Sequence, residues 1–236
     1  MRPMSFLPLF AALVGLAVVA SGFGVRWGWW TYPAGFQILR WATYAGIAAA
    51  VVALVALLVP SLRREHRAGL ALALVLAACA VAVPIYLLRE ASRLPAINDI
   101  STDTANPPAY VAILPLRADA PVPAEYAGDE AARAQRQAYP EVRPVILATE
   151  PRAAFDAVLA LVGTMGWEVV ASDPASGRIE ATATTPWFGF KDDVVIRITP
   201  ADRASRIDMR SHSRVGKSDL GANARRIRDF LGRVVS

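Results

Sequence analysis

The chain has 236 residues, 55% of them hydrophobic and 19% charged, which is too apolar for an ordinary soluble domain. Residues 1–93 carry 8 Lys+Arg against 2 Asp+Glu, while residues 94–236 carry 17 against 18, so the basic excess belongs to the apolar half and does not argue for nucleic acid. A single cysteine, Cys79, excludes an intramolecular disulfide and a zinc cluster built on cysteines.

Three runs lack charged side chains: Phe6–Phe23 (18 residues), Trp41–Val59 (19) and Ala68–Leu88 (21). Each is long enough to cross a hydrocarbon core of roughly 30 Å as a helix. Ala42, Gly46 and Ala50 recur every four residues on the second run, a spacing that lets a neighbouring helix come close. Pro84 is expected to kink the third span near its end. The short loop Ser61–Arg67 carries Arg63, Arg64 and Arg67, and lysine- and arginine-rich loops stay in the cytoplasm. The N-terminus with Arg2 is then cytoplasmic, and everything after Leu88 lies outside. The first span also has signal-peptide features, with small residues at Val18–Ala20, and its cleavage would leave the orientation of the other two unchanged.

The first loop is dense in aromatics: Trp27, Trp29, Trp30, Tyr32, Phe36 and Trp41. Indole and phenol rings favour the headgroup level, so an interfacial anchor is expected there, with a lipid- or substrate-binding pocket as the alternative. Residues 1–92 thus form a three-helix transmembrane region.

Residues 93–141 form a proline-rich connecting segment expected to pack along the following domain, with one short helix around Asp129–Ala138. Residues 142–236 alternate in the manner of an α+β domain. A strand at Val142–Ala148 leads to a helix that opens at Pro151, buries Phe155, Val158, Leu159, Val162 and Met165, and ends at Gly166. Strands follow at Trp167–Ser172, Arg178–Thr184, Asp193–Thr199 and Ser205–Arg214. A last helix is expected to start at Ser218 or Asp219, with Leu220, Ala224, Ile227, Leu231 and Val234 on one stripe. The order β-α-β-β-β-β-α predicts an antiparallel sheet with both helices on one face, similar in element order to helix-grip domains.

The tail pairs Ser213-Arg214-Val215-Gly216-Lys217-Ser218-Asp219-Leu220-Gly221-Ala222-Asn223 with the upstream run Phe188-Gly189-Phe190-Lys191-Asp192-Asp193-Val194-Val195. With the Asp99–Asp103 segment before Pro107 and Pro108, these motifs resemble the domain-of-unknown-function family numbered 1499, uncharacterised membrane-anchored bacterial proteins, over roughly residues 94–236. The resemblance implies an ordered connecting segment and no particular activity. It also implies, together with the Ala- and Arg-rich composition, a bacterial setting: the inner membrane, with the C-terminal domain periplasmic.

Three motifs resemble chemical sites. Gly216-Lys217-Ser218 lacks the upstream glycine of a phosphate loop, since that position is Ser211. Ser211, His212 and Ser213 alternate on a strand, so the histidine faces away from both serines and no triad forms. Asp192 and Asp193 also point to opposite faces, and structural pairing with neighbouring arginines is the preferred role. With only His66 and His212 in the chain, no metal or other cofactor is expected.

The remaining candidates are surfaces. Arg197, Arg206, Asp208, Arg210, His212, Arg214 and Arg226 are the candidate interaction surface, the first six on the sheet face turned away from the helices, where a solvated face is the simpler expectation. Trp27, Trp29, Trp30, Trp187 and Phe188 are candidate membrane-facing residues, with a small core under the loop an equal alternative for the tip formed by Trp187, Phe188 and Phe190. The sequence favours a non-enzymatic envelope module whose partners are the bilayer and an envelope protein or lipid. Lipid or hydrophobic-ligand handling is the alternative, and no nucleophile–base pair supports an enzyme.

Overall fold

The computed structural model describes residues 6–235. Two compact units divide the chain: residues 1–90 with 186–189, and residues 91–185 with 190–236. Arg2 and the N-terminus, used above for orientation, lie outside the described residues.

The first unit is built on three long apolar helices: α1 (Leu7–Arg26), α2 (Tyr32–Leu58) and α3 (Pro60–Arg93), each long and apolar enough to cross a membrane. Apolar side chains cover their outer surfaces, as expected of helices solvated by lipid, while small residues line their contacts. Two glycines of α2 allow close approach: a Cβ at Gly35 would lie 2.5 Å from Val25 Cγ2 of α1, and one at Gly46 would lie 2.8 Å from Val81 Cγ1 of α3. Two expectations need correction. Ser61–Arg67 is not a loop: Pro60 starts α3, and the following arginines are good helix formers. The non-helical break in α3 is at His66 (φ −128°, ψ 17°), not at Pro84.

The second unit is α+β. Its sheet is antiparallel and open, in the order β1 (Asp99–Ser101), β6 (Ala204–Ser213), β5 (Lys191–Ala201), β4 (Arg178–Thr184), β3 (Glu168–Asp173), and β2 (Val145–Leu147) also pairs with β6. β6 is long enough to hold two short partners on one side, with Asp99 opposite His212 and Val145 opposite Ile207. Helices α5 (Pro151–Thr164) and α6 (Ala222–Val234) pack on one face through Phe155, Val158, Val162, Ala224, Ile227 and Phe230. Alternation along the strands points Trp167, Val169, Ile179, Ala181, Val194, Ile196, Ile207 and Met209 at the helices, and all but Val169 join this core, Trp167 at its margin. Val169 departs from that pattern. It is 41% exposed on edge strand β3, beside a register shift between Val169 and Ala171. Such irregularities blunt an edge against further strand pairing.

Helix α4 (Gly128–Ala138) protects the other edge with a side chain. Gln135 Oε1 accepts from Ser101 N at 2.9 Å and Gln135 Nε2 donates to Ser101 O at 2.6 Å, so one amide occupies the place of a neighbouring strand.

Helix α6 starts at Ala222, later than the sequence suggests. Leu220 and Gly221 both have positive φ (52° and 75°), which no helix accepts, so Leu220 belongs to the turn. Asp219 still caps the helix from outside: its carboxylate accepts from Gly221 N (2.8 Å) and Asn223 N (2.7 Å). Gly221 is fixed by conformation and space together, since a Cβ would meet Leu94 and Tyr139 at 3.2 and 3.3 Å. Gly221→Val should therefore lower unfolding stability by about 1–3 kcal/mol, measured by denaturant titration of the full chain in detergent.

Candidate functional site

The sheet face turned away from α5 and α6 carries the strongest concentration of charge, and it is covered. After β1, residues 102–126 run across it, with a 3₁₀ turn at Leu114–Arg117. Asp208, Arg210 and His212 are buried, and Arg197, Arg206 and Arg214 are half-buried. This corrects the expectation of a solvated face. Alternation places polar residues on one side of a strand but does not say whether water or another polar segment lies above them.

Asp193 sits at the centre of one cluster with its side chain fully buried. It accepts from Arg117 Nη1 at 2.8 Å, from Arg214 Nε and Nη2 at 2.8 Å each, and from the Thr182 hydroxyl at 2.8 Å. Arg117 also donates through its terminal nitrogens to carbonyls of Val122, His212 and Ser213, while its buried Nε has no partner. Asp99 holds Arg210 in a two-pronged bond, Nε to Oδ1 and Nη2 to Oδ2, both 2.8 Å. The Arg210 guanidinium also lies over the rings of Tyr110 (4.8 Å) and Tyr126 (5.5 Å) and donates to Ala124 O (2.9 Å). Asp208 collects Arg206 and Arg197, with Asp103 of the covering segment sharing both arginines.

Glu180 fastens the segment without a cation of its own from that side. Its buried carboxylate accepts from the backbone N–H groups of Val111 and Ala112 (3.1 Å) and Ile113 (2.9 Å), and from Arg178 Nε (3.0 Å). Above it, Tyr110, Ile113 and Val195 form a small apolar cluster. Arg117, Tyr110 and Glu180 were not expected as a unit from sequence. The available signal was polar residues on strand positions together with an ordered, proline-rich segment of opposite net charge.

The second cluster lies on the helix face, where Arg226 is found. Arg226 reaches Asp192 Oδ2 (2.6 Å), the Ser211 hydroxyl (2.8 Å) and the Asn223 side chain. Asn223 in turn takes the Ser211 hydroxyl proton (2.7 Å) and donates to Asn98 O (2.9 Å) and Ser213 Oγ (3.0 Å). Asp192 and Asp193 thus point to opposite faces and pair with arginines, as their adjacency on a strand requires. Ser211 and Ser213 face Asn223, whereas His212 faces Arg117 and Arg210. The seven candidate surface residues therefore fall into two separate structural networks.

Burial changes the proton affinities here. His212 is pushed down to about 2 by burial and by the guanidinium groups of Arg117 and Arg210. Its Nδ1 lies 3.4 Å from both arginines and so serves as an acceptor on a neutral ring. Burial raises Asp99 above the usual carboxylate range despite its bonds to Arg210. Tyr110 is raised well above its ordinary value and Tyr126 to about 12, both chiefly by burial. Among the described residues no three His, Cys, Asp or Glu side chains gather into a metal-holding group.

The aromatic candidates divide. Trp27 and Trp29 are exposed, with centroids 4.9 Å apart. Trp30 folds back and donates Nε1–H to Ser21 O at 3.1 Å. Within the first unit Trp187 lies on Gly22 and donates Nε1–H to Val19 O at 2.9 Å. Phe188 is only 6% exposed and stacks on Phe36 at 5.0 Å. It therefore does not face outward, because neighbouring rings and helix surface enclose it.

Residues 99–234 match the family model described as a protein of unknown function, DUF1499. The chain belongs to this family. The match begins at Asp99, the first residue of β1, and ends at the close of α6, so the charged residues of both networks lie inside the family's span. Comparison with curated proteins returns no match.

Two outcomes are expected. Glu180→Ala should destabilise the full chain by about 2–3 kcal/mol, since it removes the acceptor of three backbone N–H groups, that of Ile113 buried, and of Arg178 Nε; urea unfolding in detergent checks this. His212 has a folded affinity far below the unfolded value near 6.5, so only the unfolded chain takes up its proton as pH falls. Its contribution is complete above about pH 6.5 and declines by about 1.4 kcal/mol per pH unit toward pH 2. Asp99, raised, acts with the opposite sign at lower pH. His212→Asn should flatten the stability slope between about pH 6.5 and 5.5 in the same titration.

Proposed function

We propose that the chain is a multi-pass inner-membrane protein that presents its α+β unit on the periplasmic side, as a non-enzymatic binding or scaffold module of the cell envelope. The observation that carries this reading is the filled space between α5, α6 and the sheet. There Phe155, Val158, Ile196, Ile207, Ile227 and Phe230 are all 2% exposed or less. A carrier of hydrophobic ligands would need room between those layers. Support also comes from the charge networks, in which the buried carboxylates of Asp99, Glu180, Asp193 and Asp208 hold arginines or backbone N–H groups in place. Groups committed in this way stiffen a module rather than offer a proton or nucleophile to a substrate.

Orientation is part of the same proposal. Arg63, Arg64 and Arg67 are exposed on the first turns of α3, so the positive-inside tendency acts on that end of the helix. Three spans then carry the chain to the opposite side. The accessible parts of the second unit, including Arg206, Lys217 and the outer side of α6 at Arg225 and Arg228, are the surfaces left for a partner.

The test uses the full chain with Cys79→Ser. In cells with a permeabilised outer membrane, an impermeant maleimide should label Ala175→Cys before the inner membrane is lysed and Ser61→Cys only after lysis. The reverse pattern would overturn the orientation. A photoreactive side chain at Arg206 or Lys217 should give the same protein adduct repeatedly, and lipid adducts at those positions would move the assignment to ligand handling.

A further inference from the structure

A cavity of about 260 Å³ opens in the second unit between the last turn of α4, the residues that follow β1, and the turn that leads into β2. Arg136 of α4 and Arg143 of that turn line it, with Thr104 and Pro140 beside them. Each guanidinium is tied to the wall by one bond. Arg136 Nη1 donates to the Thr104 hydroxyl at 2.9 Å, and Arg143 Nε donates to Pro140 O at 2.8 Å. Both charged heads are therefore held against residues of the same cavity.

The charge of this cavity has no internal counterpart. A guanidinium carries several N–H donors, and neither arginine has a second acceptor or a carboxylate partner among the described residues. The arginines of the two networks above do hold carboxylates. No acid lines the cavity, and the acids next to its lining residues in sequence are drawn elsewhere. Asp103 pairs with Arg197 and Arg206, and Glu141 pairs with Arg228 at 2.9 Å. The Thr104 hydroxyl accepts from Arg136, and its own proton has no acceptor among the described residues. Behind these groups the wall is fixed. Thr102 and Gln135 are buried and bonded to Asp208 and Ser101, and buried Tyr139 and Val142 add apolar surface. The carbonyl end of α4 opposes an anion with about half an elementary charge, which two full guanidinium charges outweigh.

We infer that this cavity binds a phosphate monoester, its phosphate held by Arg136, Arg143 and the Thr104 hydroxyl. Charge selects the group: a phosphate monoester carries about −1.5 to −2 at pH 7, which two guanidinium groups match. A single carboxylate would leave one of them uncompensated. The planar donor fork of arginine also suits phosphate oxygens. Size selects the body. The cavity is smaller than pockets for drug-sized molecules, so it fits a phosphate on a short substituent, resting on Tyr139 and Val142. A soluble ester and a lipid headgroup can both present that group. None of the surfaces left for a protein partner lines the cavity, and the site does not depend on the side to which this unit is exported.

The experiment is calorimetric titration of the full chain, in an uncharged detergent, with glycerol 3-phosphate and with glycerol as the uncharged control. The wild type should bind one glycerol 3-phosphate with a dissociation constant of about 1 mM or below, and no glycerol. Arg136→Gln and Arg143→Gln, both on exposed positions, should each weaken binding about tenfold or more, the loss of a charge-assisted bond. Thr104→Val should weaken it by a smaller factor. Arg152→Gln, exposed on α5 and outside the cavity, should bind as the wild type does. Urea midpoints establish that each variant is folded. Dioctanoyl phosphatidic acid, which carries the same group on a lipid, separates the two sources. Tighter binding than glycerol 3-phosphate, lost in the same arginine variants, supports the site as one for a headgroup; binding no tighter supports a soluble ester. Absence of saturable binding up to about 10 mM would overturn the site. So would equal binding of glycerol, or unchanged affinity in both folded arginine variants.

Discussion

The buried carboxylate of Asp193, held between Arg117 and Arg214, is the constraint on which the second unit depends. Taking a carboxylate and two guanidinium groups out of water costs several kcal/mol per ion, and the cost is offset only where geometry is good and every donor is used. Asp193 comes close to that condition with three 2.8 Å bonds from arginines and one from Thr182, leaving the buried Arg117 Nε without a partner. The consequence is positional. Arg117 belongs to the segment that crosses the sheet, so satisfying Asp193 also decides where that segment lies. Asp99 with Arg210, and Glu180 with three successive backbone N–H groups, repeat the same device at two further points. A polar face that an antiparallel sheet would ordinarily leave to water becomes a second, charged interior.

The other face is organised by a different chemistry. There an apolar core of ordinary composition joins α5 and α6 to the strands, with a polar insertion at the junction that starts α6. Asn223 is fully buried and bonds to the last strand through Ser211 and Ser213 and to the incoming segment through Asn98. One amide thus ties three parts of the chain together at the point where Gly221 and Asp219 turn it into the helix. The family's motif residues at this junction act on backbone direction and on mutual positioning. A protein can keep such residues without any of them touching a substrate.

In the first unit the solvent changes the logic. Hydrophobic burial does little to join helices in lipid, so contact depends on small residues such as Gly46 and on rings that find backbone acceptors. Trp30 and Trp187 both donate to carbonyls near the end of α1, at Ser21 and Val19. These bonds give the aromatic residues fixed places rather than a general affinity for the interface. Trp27 and Trp29, which make no such bond, remain exposed.

Sequence alone determined what periodicity and charge can encode. The three charge-free runs, the order of strands and helices, the core set from Phe155 to Leu231, and the opposed directions of Asp192 and Asp193 all follow from spacings of 3.6 and 2 residues. The family was also legible, in the residues around Asn223. Tertiary structure decided what lies above a face. Nothing in the alternation from Arg206 to Arg214 distinguishes water from the 102–126 segment, because both satisfy charged side chains. The same holds for Phe188, whose burial depends on the place of Phe36, far away in the chain. It also decided the start of α6, where the positive φ of Leu220 and Gly221 overrides an apolar stripe that would have admitted Leu220 to the helix. Local patterns fix which side a residue takes, and only the path of the rest of the chain fixes what it meets there.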